Sequence, residues 1–326
     1  MRRFFLVSLL MALSACRREP VPPAAAPSSG PATNQAATAA AVTVTAARYP
    51  GAERVVAIGD LHGSLAATRA ALRLAGAIDG SDQWIGGKLV VVQTGDEVDR
   101  GDGEREILDL FDRLAEESKA SGGAVHALLG NHETMTVAGD FRSATEGGFK
   151  SFEGVSPKAP GAARFGEHER ARAEAFLPGG AYALKLAKRD TIAIVGDTVF
   201  SHAGIVPQHV AYGIDRANAG IREWIAGHAE QPGIVMEKPS PLWNRLYGQP
   251  QLPEETCRDL RVALSSVGAK RMVVGHTIQD EGISSACDGQ VWRIDIGMFS
   301  NYPKKPVQVL QISGGAVTVL RGEHEG

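Results

Sequence analysis

The chain has 326 residues, of which 44% are hydrophobic and 22% are charged. This composition excludes a disordered or fibrous protein and supplies enough apolar side chains for a sizeable core. There are 34 basic and 37 acidic side chains, which give a formal charge of -3. Because nucleic-acid-binding proteins carry a clear basic excess, this balance argues against nucleic acid as a partner.

The amino-terminal segment predicts export and a lipid anchor. Basic residues precede a short apolar run over residues 4–13, which is too short to span a bilayer as a mature helix. The sequence LSAC at residues 13–16 resembles the lipobox of bacterial lipoproteins, so residues 1–15 are expected to be a signal peptide and Cys16 to carry the lipid. An ordinary signal peptide with an incidental cysteine is the alternative. Arg17 is not the aspartate that resembles an inner-membrane retention signal, so the expected location is the bacterial cell envelope, at the periplasmic face of the outer membrane.

The next segment, residues 16–47, predicts a disordered tether. From residue 19 onward it consists mostly of alanine, proline and small polar residues, with no aromatic side chain and no amphipathic period. Such a segment cannot bury enough apolar surface to order itself. The catalytic body is therefore expected to be a single domain over residues 48–326.

Beyond residue 48, short apolar runs alternate with amphipathic stretches, which is typical of an α/β protein. Residues 141–180 do not follow this alternation and are interpreted as an insertion beside the site, with a charged helix at 168–176. Helices are predicted at 64–74, 104–118 and 258–267. Strands are predicted at 55–58, 89–92, 125–129, 192–195, 199–201, 272–274, 291–296, 307–312 and 316–321, the last two as a hairpin.

Loops with potential metal-binding side chains follow five of the predicted strands between residues 55 and 274. Because the carboxyl ends of strands in an open α/β sheet converge on one crevice, these side chains are expected to meet. Oxygen and nitrogen donors without cysteine suit a centre of two divalent ions. A single such residue has an ordinary explanation as a cap, a turn or a core histidine, but the ordered succession does not. The loops are GDLHG at 59–63, GDEVDRG at 95–101, GNHE at 130–133, SHAG at 201–204 and GHT at 275–277.

The first three of these loops, in this order, resemble the signature of the PPP-type metallophosphoesterases, which include the serine/threonine phosphoprotein phosphatases. Members of the wider calcineurin-like superfamily commonly have aspartate at the position of Glu133, so this residue favours the phosphoprotein branch over the diadenosine tetraphosphate hydrolases. The segments GNHETMTVAGDFR, KRMVVGHT and CDGQVWRIDIGM resemble the Shewanella-like protein phosphatases. The resemblance covers residues 54–312. It implies the calcineurin-like fold, a central β-sandwich flanked by helices, with a metal site at the carboxyl ends of the strands.

The same resemblance implies a set of metal ligands. A hydroxide between two metal ions would attack phosphorus in line, without a covalent enzyme intermediate. Manganese is the favoured metal, with iron or zinc as alternatives. The implied ligands are Asp60 and His62 for the first metal, Asp96 as the bridge, and Asn131, His202 and His276 for the second metal.

The resemblance also implies the residues that act on the phosphate ester. His132 would be the general acid, Asp99 would hold its ring in the useful tautomer, and Arg100 would clamp two phosphate oxygens. Arg245 is a second candidate clamp because WNR at 243–245 resembles a segment of phage-type members. A packing Trp243 with Arg245 capping a surface is the alternative. Tyr302 is expected near the metals, as in eukaryotic members, and no regulatory subunit is predicted.

Two cysteines remain after Cys16, and export places them in an oxidising compartment. A disulfide between Cys257 and Cys287 would close a loop of about 30 residues and contribute about 3 to 4 kcal/mol if it is unstrained. Two buried thiols are the alternative.

The expected function is hydrolysis of phosphoserine and phosphothreonine in proteins, with phosphotyrosine as an extension. The first alternative is an enzyme that acts on small phosphorylated metabolites or nucleotides, and the second is an inactive envelope protein that only binds. The insertion at 141–180 discriminates between the enzymes. An open groove would admit a phosphopeptide, whereas a lid over the metals would favour a small ligand.

Overall fold

The structure, a computed structural model, describes residues 47–322. The predicted signal peptide, the lipidation site Cys16 and the tether up to residue 46 lie outside these residues. Ala47 is already part of the fold, because it is buried and its N–H donates to the Asp215 carboxylate over 2.8 Å. In the described part of the chain, no helix combines the length and the apolar character needed to cross a bilayer.

Strands and helices alternate along the described chain. The strands are β1 (Arg48–Tyr49), β2 (Arg54–Ile58), β3 (Val90–Gln93), β4 (Ala124–Ala127), β5 (Ile192–Val195), β6 (Thr198–Ser201), β7 (Arg271–Val274), β8 (Ser284–Ala286), β9 (Val291–Arg293), β10 (Gln308–Ser313) and β11 (Ala316–Arg321). The helices are α1 (Leu65–Leu74), α2 (Glu104–Ala120), α3 (Asn131–Val137), α4 (Glu146–Lys150), α5 (Glu167–Phe176), α6 (Ala181–Leu186), α7 (Pro207–Tyr212), α8 (Ile214–Ile225), α9 (Glu254–Ser266) and α10 (Met298–Asn301).

The strands form two mixed sheets. One has six strands in the order β1-β5-β6-β7-β9-β8, and the other has five in the order β11-β10-β2-β3-β4 among the described residues. The main core contains side chains of both sheets. On β5, Ala193 and Val195 belong to this core, whereas Ile192 and Ile194 pack with α9 on the opposite face, as the two-residue period of a strand requires. The predicted α/β architecture, a β-sandwich flanked by helices, is confirmed.

The parallel strands determine where the functional loops lie. β2, β3 and β4 are parallel in the five-stranded sheet, and β6, β7 and β9 are parallel in the six-stranded sheet. The loops after these strands all emerge at strand carboxyl ends. β9 is shorter than expected, because the chain leaves the sheet after Arg293 and the Asp295 carboxylate accepts the Gly297 N–H over 2.8 Å.

Two further differences concern helices. α9 begins at Glu254, four residues before the predicted start, and Pro253 precedes it as its cap residue. Six helices of the described chain were not predicted: α3, α4, α6, α7, α8 and α10. α8 buries one face, with Ile214, Ile221 and Ile225 among its buried residues, directly after Gly213.

The 141–180 segment forms a small helical layer beside the sandwich. It contains α4, a 3-10 turn and α5, and its residues Phe141, Ala173 and Leu177 belong to a local apolar cluster. Phe152 and Phe176 join a larger cluster that also contains residues of α6 and α8. The segment is therefore anchored to the body by buried aromatic side chains.

A disulfide connects Cys257 on α9 to Cys287 in the turn between β8 and β9, with the two Cα atoms 5.4 Å apart. It joins the helical layer outside the six-stranded sheet to the hairpin that contains Trp292.

Candidate metal centre

Seven polar side chains meet where the parallel strands end. The six-stranded sheet contributes His202 and His276, and the five-stranded sheet contributes Asp60, His62, Asp96 and Asn131. The seventh residue, Asp295 after β9, was not predicted from the sequence. Its signal is a carboxylate that follows a strand, and the predicted strand at 291–296 concealed it. All seven side chains are buried.

Asp96 lies at the centre of the group. Its Oδ2 atom is 3.5 Å from His62 Nε2, 3.3 Å from His202 Nε2 and 3.9 Å from His132 Nε2. Two groups of candidate ligand atoms, each within 4.8 Å of one another, share this carboxylate, one with His62 and His132 and the other with His202 and His276. Asp96 is therefore the residue common to both groups.

The ligand atoms present lone pairs to one another. His62 Nδ1 and His202 Nδ1 each lie 3.0 Å from a backbone carbonyl, so each ring donates there and turns an unprotonated Nε2 inward. His202 Nε2 then lies 2.9 Å from Asn131 Oδ1 and 3.1 Å from His276 Nδ1. Ligand atoms that converge this closely from separate loops are well placed to coordinate a cation between them. This donor set of carboxylate, imidazole and amide fits divalent metal ions.

The electrostatics agree with this interpretation. Burial and the carboxylates of Asp295 and Asp96 raise the pKa of Asp60 well above its usual value, and burial raises the pKa of Asp295 to about 6. Burial also lowers the pKa of His62 to about 4 and that of His276 to about 3, so both rings are neutral and able to bind a metal. A cluster of buried carboxylates and neutral imidazoles is stabilised by positive charge.

Glu133 connects the loops of the five-stranded sheet. Its Oε2 accepts the N–H groups of Asp96 and Gly130 over 2.8 and 2.7 Å, and its Oε1 accepts those of Glu97 and Val98 over 2.8 and 3.3 Å. The sequence interpretation used Glu133 only to separate branches of a family. In the structure its carboxylate holds two metal-site loops together.

Backbone conformation is unusual throughout the site. Among the described residues with positive φ that are not glycine, His62, Asp96, Asp99, Arg100 and His276 all belong to this centre, with φ between 44 and 68°. Such conformations cost about 1 to 3 kcal/mol each and persist only where the surrounding structure imposes them. Their concentration here marks a functional site.

His132 lies at the edge of the metal centre and is held by Asp99. Its Nδ1 is 2.6 Å from Asp99 Oδ2, and its Nε2 is 3.1 Å from Arg100 Nη2. A guanidinium can only donate, so Nε2 accepts and the ring proton lies on Nδ1. Burial opposes protonation, but the carboxylates of Asp96 and Asp99 outweigh it and raise the pKa of His132.

These residues surround a cleft of about 470 Å³. Arg100 and Arg245 both line it, and Arg245 Nη1 donates to the backbone carbonyl of His276 over 3.0 Å. Trp243 stands with its ring at 87° to that of His276. Tyr302 packs against the main core, and Phe299 is a further aromatic ring beside the site, where it contacts His62 and lies 5.1 Å from the Arg100 guanidinium.

The comparison with known proteins agrees with this geometry. The model of the calcineurin-like phosphoesterase family matches residues 53–280. The chain belongs to the calcineurin-like phosphoesterases. A relative, Shewanella-like protein phosphatase 2 of Arabidopsis thaliana, is 38% identical, and the match covers 81% of this chain and 76% of that protein. The phosphoesterase is therefore a hydrolase of the Shewanella-like protein phosphatase type, in a family that uses a dinuclear metal site.

Solved structures show the same fold for the phosphoesterase. A cold-active protein-tyrosine phosphatase of a psychrophilic Shewanella species superposes with a TM-score of 0.69 at 23% identity, covering 85% of this chain and 82% of that chain. A protein serine/threonine phosphatase of Saccharomyces cerevisiae superposes with a TM-score of 0.55 at 15% identity, covering 86% of this chain and 84% of the other.

Proposed function

We propose that the protein is a dinuclear-metal-dependent phosphatase that removes phosphate from phosphoserine and phosphothreonine in proteins. The observation that carries the proposal is the juxtaposition in one cleft of the Asp96-centred ligand group, the His132–Asp99 pair and two arginines. Such a cleft has the parts needed for phosphate-ester hydrolysis.

The openness of this cleft supports a protein substrate. Of the 141–180 insertion, Arg142 and Ser143 line the cleft, whereas α4 and α5 contribute no residue to its lining, and α5 contacts Asp99 through Arg172. Two large apolar side chains are exposed here: Ile278, which lines the cleft, at 40%, and Met236, which lines a recess that shares residues with the cleft, at 60%. Apolar surface beside a phosphate site suits the residues that flank a phosphorylated side chain.

The residues assigned to the metals are Asp60 and His62 for the first ion, Asp96 for both, and Asn131, His202 and His276 for the second. When bound, such ions supply Lewis acidity and lower the pKa of water so that it becomes a nucleophile near neutral pH. Manganese is the metal we propose. Asp295, which is coupled electrostatically to Asp60 and Asp96, would add negative charge behind the ligands.

The chain's own groups then hold the ester and move a proton. Arg100 and Arg245 bind phosphate oxygens, and the swing of Arg100 onto phosphate frees His132 Nε2 from their contact. A water oxygen forms the new bond to phosphorus as the ester bond breaks. The departing oxygen takes a proton from protonated His132, and the products are an alcohol and inorganic phosphate.

Phosphotyrosine is the second candidate substrate. A smaller recess shares Met135, Arg142 and Trp243 with the cleft, and its lining combines the apolar side chains of Met135, Val235, Met236 and Trp243 with the polar side chains of Asp140, Arg142 and Gln231. Such a recess suits an aromatic ring, and the solved Shewanella relative is described as a protein-tyrosine phosphatase.

The test compares Asp96→Asn with the wild-type chain in the presence of manganese. Turnover of p-nitrophenyl phosphate should be abolished in the variant while its circular dichroism is unchanged, and Asp259→Asn on the exposed face of α9 is the matched control. Unchanged activity in Asp96→Asn would refute the metal assignment. An inactive wild-type protein would favour the binding-protein alternative.

The substrate class is tested separately with the wild-type enzyme. Peptides carrying phosphoserine, phosphothreonine or phosphotyrosine are compared with nucleotides and sugar phosphates by kcat/KM. A preference for the small phosphoesters would replace the protein-phosphatase proposal with the metabolite alternative.

We also propose that the enzyme is anchored to the cell envelope through Cys16, because the sequence LSAC at residues 13–16 resembles a lipobox. Wild-type protein should incorporate labelled palmitate and sediment with membranes, whereas Cys16→Ser should do neither. Equal labelling of the two proteins would contradict the anchor.

A further inference from the structure

Arg172 on α5 is a charged side chain with no solvent exposure. Its Nη2 donates to Asp99 Oδ1 over 2.8 Å, and its Nη1 and Nη2 donate to the two Glu104 oxygens over 2.6 and 2.9 Å. Both carboxylates are also fully buried. Burying three charges costs desolvation free energy, and apolar side chains could pack this helix without that cost. The arrangement is therefore not explained by packing alone.

The partner of Arg172 is the carboxylate that holds the catalytic acid. Asp99 uses Oδ1 to accept from Arg172 and Oδ2 to accept from His132 Nδ1. Glu104 supports the same unit from behind, because its Oε2 accepts the Asp99 backbone N–H over 3.0 Å. Because Arg172 is itself held by its two hydrogen bonds to Glu104, its single hydrogen bond to Asp99 Oδ1 restrains the carboxylate from rotating away from the imidazole.

The surroundings of Arg172 come from the insertion. The rings of Phe141, Phe152 and Phe176 surround the guanidinium at 5.8, 5.7 and 5.2 Å. A delocalised cation among aromatic faces is held in place without direct water contact. The insertion is thus built around the residue that reaches back to Asp99.

We propose that Arg172 is a positioning residue for the general acid, acting through Asp99, and that supplying it is a function of the 141–180 insertion. This inference rests on the proposed role of His132 as the acid. Orientation of the imidazole matters only where the leaving oxygen needs a proton. Hydrolysis of an alkyl ester such as phosphoserine depends on that proton, whereas p-nitrophenolate departs without it.

The experiment measures kcat for Arg172→Lys and Arg172→Gln on p-nitrophenyl phosphate, phenyl phosphate and a phosphoserine peptide. A general acid contributes about 10²- to 10⁴-fold, so we expect kcat to fall about 10- to 100-fold on phosphoserine and less than about 3-fold on p-nitrophenyl phosphate. Arg170→Gln, on the exposed face of the same helix, is the matched control, and its kcat should be unchanged on all three substrates. Metal content is measured for each protein.

A double variant tests whether the effect passes through Asp99. Adding Arg172→Lys to Asp99→Asn should cost less than about 3-fold more on phosphoserine, because residues that act as one unit are not additive. An equal fall on both esters, or no fall, would overturn the proposal in favour of a purely structural role. If Arg172→Gln fails to fold, Arg172→Lys carries the test.

Failure of the protein-phosphatase proposal would look different. In that case no phosphopeptide is turned over by the wild-type enzyme. Phenolate is a poorer leaving group than p-nitrophenolate and depends more on protonation. A larger fall in kcat on phenyl phosphate than on p-nitrophenyl phosphate in the Arg172 variants would therefore still support the positioning role.

Discussion

The two halves of the metal centre are held in different ways. In the half from the five-stranded sheet, the Glu133 carboxylate accepts backbone N–H groups from two loops, and the His62 N–H donates to the Asp96 carbonyl over 2.9 Å. In the half from the six-stranded sheet, the loops meet through the Gly275 N–H and the His202 carbonyl at 2.9 Å. The loops of the first half are cross-linked by a buried carboxylate as well as by the backbone, whereas the loops of the second half are joined by a backbone hydrogen bond and have no equivalent carboxylate among the described residues.

This difference separates residues of the site that stabilise the fold without a metal from residues that serve mainly to bind the metal. A group that satisfies several buried backbone donors contributes to stability whether or not a metal is bound. A histidine ring such as His202, whose Nε2 faces other ligand atoms, contributes to stability mainly when a cation is bound. Variants in the two halves should therefore separate stability from activity.

The largest effect is expected for Glu133→Ala, which leaves four buried N–H groups without their acceptor. Each unsatisfied donor costs about 1 to 3 kcal/mol before water relieves part of it, so we expect a loss of about 4 kcal/mol in the free energy of unfolding. Urea denaturation measures it, with the exposed Glu116→Ala as control. A loss below about 1 kcal/mol would contradict the cross-linking role.

In the other half, His276→Ala should lower kcat/KM about a thousandfold while changing stability by less than about 1 kcal/mol. The His276 ring contacts mainly other members of the site, His202 and Trp243, so its removal should cost the rest of the fold little. Metal analysis and thermal unfolding of the same sample separate the two quantities. A large loss of stability would show that this half is also part of the folding unit.

The disulfide tests the six-stranded half away from its ligands. Replacing Cys257 and Cys287 together with serine should cost about 3 kcal/mol in the free energy of unfolding, because the bridge closes a separation of 30 residues. Since neither sulfur lines the cleft, kcat should be unchanged. Two free thiols in the native protein, detected by alkylation and mass spectrometry, would remove the basis for this expectation.

The smallest effect is expected for Arg245, an exposed side chain held by the His276 carbonyl and Thr277 Oγ1. Arg245→Ala should lower kcat/KM on p-nitrophenyl phosphate about tenfold without changing stability, and Arg245→Lys should retain part of the activity, since an ammonium cannot fork onto two oxygens. Equal kcat/KM for all three proteins would assign Arg245 to capping the surface.

Much of this architecture was predictable from the sequence, because strand, loop and ligand follow one another locally. The loops after β2, β3, β4, β6 and β7 were identified from a short apolar run followed by a polar donor. α8 was overlooked although its apolar residues recur at helical spacing. Local pattern and chain order therefore determined most of the sandwich.

Other parts depend on distant contacts that no local pattern contains. Arg172 appears in the sequence as one basic residue in a charged helix, and only the fold brings it to Asp99, 73 positions earlier. The position of Phe299 beside His62 likewise follows from the path of the chain through α10. Such positions are decided by tertiary packing, which residue type alone does not encode.

The left-handed backbone at His62, Asp96, Asp99, Arg100 and His276 restricts what evolution and mutagenesis can place there. Glycine, asparagine and aspartate adopt this conformation most readily, and β-branched residues resist it. A relative that lost activity without losing its fold would therefore be expected to carry asparagine or glycine at these positions. Random substitution at these positions would more often prevent folding than produce a folded but inactive protein.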